Sequence, residues 1–252
     1  NNNSDLALNA NRGIFLESGN GVFYAGWTRP QGITVNGPVS GPGNLVKTDG
    51  GTTILPVANS YTGTTTVSQG PLRIRHASAL GATSAGTTVN SGGALELENL
   101  GTVAPEPLTL NGSGVNNGGA LRSVAGNNTY VVPITLGSAA RINADAGTLT
   151  LDVAAGNAVS AANQSITFGG AGNITVADPI SLGSGGLSKD GAGTLILSRD
   201  NAYGGITYVN AGTLMATSAG ALGTTAGGTQ IAGGTLALQG GITLPAAEAI
   251  TL

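Results

Sequence analysis

Apolar and polar residues alternate in short runs along most of the chain. In Leu72-Arg73-Ile74-Arg75 the aliphatic side chains point one way and the arginines the other. Leu95-Glu96-Leu97-Glu98, Leu149-Thr150-Leu151-Asp152-Val153, Ile174-Thr175-Val176 and Leu236-Ala237-Leu238-Gln239 repeat the pattern. A period of two puts successive side chains on opposite faces of an extended strand, so these runs predict half-buried β-strands. Between them lie clusters such as Asp49-Gly50-Gly51, Asn90-Ser91-Gly92-Gly93 and Asn116-Asn117-Gly118-Gly119. Gly, Asn, Asp and Ser suit tight corners because they tolerate positive φ or bond their own backbone. No segment keeps the period of an amphipathic helix. Ala-rich stretches break at Gly and Asn within a turn or two, as at Ala154-Ala155-Gly156-Asn157.

The pattern also repeats at long range. Residues 45–81 recur at 187–223, an offset of 142, with 17 of 37 positions identical. With looser matches on either side, the duplication covers 43–110 and 185–252. Ile33-Thr34-Val35 precedes the first copy as Ile174-Thr175-Val176 precedes the second, and Leu108-Thr109-Leu110 matches Ile250-Thr251-Leu252. A fixed internal period is the mark of stacked repeat architectures. Inside each copy a finer spacing appears, at an offset of 23 from Leu72 to Leu95 and of 22 from Leu214 to Leu236. A sandwich or barrel would also use short strands and Gly corners, but this spacing favours coils laid one on another. The reading is one continuous β-solenoid over 1–252, parallel-stranded, with 11–12 coils of about 20–23 residues. At ~4.8 Å per strand that is a rod of ~55 Å. No polar helical cap is visible at either terminus, so the ends are expected to be covered by further repeats or by other chains.

Composition narrows the function classes. Gly is 44 of 252 residues and charged residues are 8%, while hydrophobic residues still make up 40%. A dry core is therefore possible, and disorder driven by high charge is excluded. Net charge is −3 with no basic run, so nucleic acid has no electrostatic footprint. No apolar run approaches a membrane-spanning length. Cysteine is absent, which removes disulfides, thiolate metal sites and thiol catalysis.

One stretch carries a family signature. Lys189-Asp190-Gly191-Ala192-Gly193-Thr194-Leu195-Ile196-Leu197, then Asn201-Ala202-Tyr203-Gly204-Gly205, then Thr207-Tyr208-Val209-Asn210-Ala211-Gly212-Thr213-Leu214 resembles the autotransporter-associated β-strand repeat, or passenger-associated transport repeat. The first copy keeps Lys47, Gly51, Thr52, Ile54, Leu55, Asn59, Tyr61, Gly63, Thr65, Val67, Gly70 and Leu72, and departs at Asp49, Thr53 and Pro56. The resemblance implies a large bacterial surface or secreted protein with a right-handed parallel β-helix, and the right hand agrees with the general rule for parallel crossovers.

Each candidate side chain has a plain structural reading beside a chemical one. Asn59/Tyr61/Gly63 and Asn201/Tyr203/Gly205 recur together and read as structural corners, with Asn in the turn and Tyr packed over the coil. If coils are neighbours at this spacing, Arg73 faces Glu96 and Arg75 faces Glu98, giving inter-rung ion pairs. The two lysines, Lys47 and Lys189, lack a phosphate-loop context and read as exposed residues discouraging sideways strand pairing. His76, the single histidine, has Ser218 as its counterpart and no nucleophile motif beside it. Calcium is not expected, because Gly169-Gly170-Ala171-Gly172-Asn173 has Ile174 where the calcium nonapeptide needs Asp. Five Asn-x-Ser/Thr triplets occur, at Asn2, Asn111, Asn127, Asn163 and Asn173. The one aromatic cluster, Phe23, Tyr24 and Trp27, is the candidate contact for a sugar or a partner.

The expected function is structural: a segment of a bacterial cell-surface or extracellular stalk or fibre, with no catalytic, metal or cofactor site. The expected partners are further repeats of the same polypeptide or other copies of itself, end to end, and glycans. An adhesin passenger binding glycans or a host or neighbour surface is the alternative. A polysaccharide-acting enzyme, which needs two placed carboxylates, is a distant third.

Overall fold

A computed structural model describes residues 6–23 and 32–252. The protein is an all-β solenoid of about ten turns with parallel strands and one short 3-10 segment, Val115–Asn117. Each turn runs through three faces. The ladder of the second face is the clearest measure of the stack. Leu6, Ile33, Thr53, Leu72, Leu95, Leu121, Ile142, Phe168, Lys189, Val209 and Ile231 stand one above another, each paired with the next. Ten steps of ~4.8 Å make a rod of ~48 Å. The sequence spacing implied 11–12 coils. The same face continues one strand further, where Thr229 pairs with Ile250, and its turns are uneven: the offset between stacked partners is 19 from Thr53 to Leu72 but 27 from Leu6 to Ile33.

On the first face, Gly21, Leu45, Thr65, Thr87, Leu108, Ile134, Val159 and Ile180 form the corresponding ladder. The third face holds a seven-stranded sheet from Gly101–Thr102 to Thr235–Leu238, in which Ile174, Leu195, Leu214 and Leu236 are in register. Strands Thr65–Ile74 and Ile134–Ala144 bend round the corner between the first and second faces and pair on both.

Alternation explains the core. In Thr194–Leu197 and over most of Thr65–Ile74 every second side chain is buried. Leu72, Leu95 and Leu121 stack inside at 0% exposure, each such side chain stabilising the fold by roughly 1.5–3 kcal/mol. Backbone closeness fixes some glycines. A Cβ on Gly63 would overlap the Gly43 carbonyl, and one on Gly205 would lie 2.6 Å from Gly185. Asparagines tie turns together at the corners. The Oδ1 atoms of Asn44, Asn127, Asn163 and Asn173 accept from the backbone N–H of Thr64, Thr148, Ser184 and Thr194, one turn on. Asn111 donates to the Val89 carbonyl. The four described Asn-x-Ser/Thr triplets thus use their amides as inter-turn struts.

The duplicated segments do not sit on the same faces. Lys47 pairs with Val67 on the first face, whereas Lys189 pairs with Phe168 and Val209 on the second. Leu72 pairs with Leu95 on the second face, and its counterpart Leu214 pairs with Leu236 on the third. Six turns of the second-face ladder separate Thr53 from Lys189. Since the chain passes from Lys47 to Thr53 by moving on one face, the long period amounts to six and one-third turns. Equivalent surface residues of the two copies therefore face different directions.

Candidate functional site

The recurring residues hold corners. Asn59 Oδ1 accepts from the Val39 N–H at 2.8 Å and its Nδ2 donates to the Ala79 carbonyl at 2.5 Å. Asn201 does the same with Ile180 (2.7 Å) and Ala221 (2.5 Å). Each amide therefore clamps the turn before it to the turn after it. Tyr61 and Tyr203 are fully buried, with hydroxyls 2.6 and 2.8 Å from the hydroxyls of Thr65 and Thr207. Burial pushes both phenols above their ordinary pKa. Gly81 and Gly223, both at positive φ, lie against these rings: a Cβ on Gly223 would lie 2.5 Å from Tyr203 Cε2.

The lysines correct the expectation of exposure. Lys47 and Lys189 are 0% and 2% exposed. Lys47 Nζ donates to the Asp49 carbonyl and carboxylate and to the Gln69 carbonyl (3.0 Å). Lys189 Nζ donates to the carbonyls of Asp190 (2.6 Å), Gly191 (2.8 Å) and Ala211 (3.1 Å). Each ammonium thus caps corner carbonyls of two adjacent turns. Desolvation lowers both lysine pKa values, opposed at Lys47 by Asp49 and at Lys189 by Asp190. The carbonyl cage explains why a charge stands in an apolar column: burial needs satisfied donors. The signal was in the sequence, since Lys47 and Lys189 share the inward parity of Leu45 and Leu187.

The second face carries nearly all the paired charge. Arg73 lies 2.7 Å from Glu96 and 3.4 Å from Glu98, and Arg75 lies 3.1 Å from Glu98. Glu96 also meets Arg122 at 3.2 Å, and Arg122 meets Asp145 at 2.7 Å. Asp145 accepts from Asn143, which accepts from Arg141, which holds Asp190 with two bonds of 2.6 Å. One network of alternating sign therefore runs from Arg75 to Asp190 with no net charge. Its hydrogen bonds to Asp145 and Glu96 raise the Arg122 pKa. The Arg141–Asp190 pair passes over an intervening turn at Gly169, where a Cβ would overlap both Arg141 Nη2 and Asp190 Oδ1.

A cleft of about 540 Å³ opens above this pair. Its wall is the loop holding Ser113 and Asn117, which adds length to the turn from Leu95 to Leu121. Asn116 and Asn117 adopt positive φ there, and Ser113 Oγ donates to Asn117 Oδ1 at 2.6 Å. Ser165, Thr167, Arg141 and Asp190 complete the lining. Arg141 Nε is buried with no hydrogen-bond partner. No local pattern marks this cleft in the sequence, because its parts come from several turns.

Glu106 carries no motif that sequence reasoning picks out. It is 2% exposed and accepts a 2.7 Å hydrogen bond from Thr87 Oγ1. Burial pushes its carboxyl up to about 7, against the hydrogen bond from Thr87. Glu248 repeats the contact with Thr229 in the second copy. The recurrence of this Thr and Glu at the long period was the available signal. His76 is an exposed bend residue whose Nδ1 accepts from the Ser78 N–H. Phe23 packs partly buried against the core and pairs with Lys47, while Tyr24 and Trp27 lie outside the described residues. Among the described residues no group of three metal-ligating side chains forms, and no helix is long and apolar enough to cross a membrane.

These corners, ladders and turns define a β-solenoid repeat protein. The passenger-associated-transport-repeat family model matches residues 45–74 and 187–216, the stretches that carry the buried lysines and the Asn/Tyr corners. The chain therefore carries two passenger-associated transport repeats in a β-solenoid, consistent with an autotransporter-associated repeat protein. The repeats and the β-solenoid fold support an autotransporter passenger-like structural segment, and the repeat family implies a secreted or surface protein of bacteria. No curated protein and no solved structure matches the chain.

Proposed function

We propose that this chain is a rigid spacer segment of a bacterial cell-surface or extracellular stalk, without catalytic activity. The observation that carries this reading is the unbroken second-face ladder from Leu6 to Ile231, backed by corners that repeat their own bonding. A stack in which each turn contacts its neighbours gains one more interface, and the stability that goes with it, with each added turn. Further repeats of the same polypeptide, or further copies, extend the rod in the same manner. Small-angle scattering tests the rod: an asymmetric pair-distance distribution, peaking at the cross-section and tailing out to the rod length of ~48 Å, is expected, and a symmetric globular profile refutes it. Electron microscopy of the native material tests assembly, with long uniform fibres expected and isolated short rods against it.

A further inference from the structure

We propose that the second face carries a groove that binds a linear, neutral polysaccharide along the solenoid axis, an activity beyond the spacer role. The outward column of this face runs Arg141, Thr167, Ser188, Tyr208 and Gln230, each in register with the next. The cleft over Arg141 and Asp190 continues into a second hollow of about 210 Å³ that shares Ser165 and ends at Tyr208. Three turns separate Arg141 from Tyr208, a distance of ~14 Å at the strand spacing. The groove is therefore long, axial and open to a chain.

Its chemistry selects the occupant. The walls offer hydroxyls, an amide and one phenol ring. The two charges, Arg141 and Asp190, neutralise each other through two hydrogen bonds of 2.6 Å. An anionic polymer would find no uncompensated cation here, and a cationic one no free carboxylate. Sugar hydroxyls both donate and accept, so they complement a paired guanidinium and carboxylate whose remaining lone pairs stay available. Tyr208 has an exposed side chain on a sheet face, and aromatic rings stack on the apolar faces of pyranoses while their polar tips stay wet. Its counterpart in the first copy is Thr66, on another face, so the ring is not a requirement of the repeat. Register supplies the fit to a polymer. Each turn presents one polar side chain at a constant interval, so successive sugars meet successive rungs and weak contacts add within one chain.

The test is titration calorimetry of the intact chain with hexasaccharides of β-1,4-linked glucose, mannose and xylose, and with oligogalacturonate as the charged comparator. Binding of at least one neutral hexasaccharide is expected, nearly independent of salt. Tyr208→Ala and Asn117→Gly, both exposed positions, the glycine chosen because Asn117 has positive φ, each weaken it at least tenfold with unchanged circular dichroism, and Tyr208→Phe retains it. The proposal is overturned by no binding of any neutral oligomer, by binding unchanged in both Tyr208→Ala and Asn117→Gly, or by a salt-sensitive preference for oligogalacturonate. None of these outcomes bears on the rod measured by scattering.

Discussion

Replacing Asn201 with alanine isolates what a corner amide contributes. In the native protein its Oδ1 accepts from the Ile180 N–H and its Nδ2 donates to the Ala221 carbonyl. Ile180 and Ala221 are both 0% exposed, so water does not replace either bond. Each buried backbone group left without a partner costs ~1–3 kcal/mol, and two of them give about 3 kcal/mol as a conservative figure. Asn173→Ala is the control, because its single side-chain bond, from the Thr194 N–H, is exposed and water substitutes for it, leaving a change within ~0.5 kcal/mol. Asn201→Asp keeps the acceptor but loses the donor, so its cost is larger at neutral pH than in acid, where a protonated carboxyl donates again. Repeat stacks open locally, so the assay is amide hydrogen exchange at Ile180 and its neighbours, with urea unfolding alongside. Equal effects of Asn201→Ala and Asn173→Ala, or no change in exchange at Ile180, would refute the clamp.

Three further outcomes follow from named contacts. Glu106 has a folded pKa raised to about 7. The folded state therefore holds a proton that the unfolded state releases, and stability falls as pH rises from about 4.5 to about 7, by up to ~3 kcal/mol. Glu106→Gln keeps a partner for Thr87 and flattens this slope in urea titrations across the same window; a slope unchanged in the variant contradicts the assignment. Thr53 buries a hydroxyl with no hydrogen-bond partner where the second copy has Leu195, so Thr53→Val stabilises by ~1 kcal/mol, read as a higher denaturation midpoint. Gly169→Ala disrupts the Arg141–Asp190 pair sterically. In a double-mutant cycle, Asp190→Asn should then cost nothing further in the Gly169→Ala background, and simple additivity would show the pair survives.

Much of the fold is legible in the sequence where chemistry is local. Period-two alternation, with the finer spacing between runs, places Leu72 on Leu95, and the structure has that pairing. The same spacing puts Arg73 opposite Glu96, and the structure places them 2.7 Å apart. Residue type misleads at the lysines: a charge suggests the surface, although its parity in the strand points inward. The wider network is less visible, since Arg141 and Asp190 meet across 49 residues and an intervening glycine. The cleft depends on a loop that departs from the regular turn, and regular patterning carries no information about such a departure. The one-third-turn rotation is hidden for a related reason. It is the remainder left when turns of uneven length accumulate over the long period, and no single segment encodes it.

The central claim is the register that brings the second copy onto the next face. Disulfide trapping tests it directly, because the chain has no cysteine to compete. Thr167 and Ser188 are paired neighbours on the second face, within reach of a disulfide, which needs Cα atoms roughly 4.4–6.8 Å apart. Ser160 belongs to the first face and pairs with Ser181. Under mild oxidation the Thr167→Cys/Ser188→Cys variant is expected to cross-link in high yield by mass spectrometry, and Ser160→Cys/Ser188→Cys is expected to stay reduced. Cross-linking of 160 to 188 with none between 167 and 188 would contradict the rotated repeat and the ladder built on it.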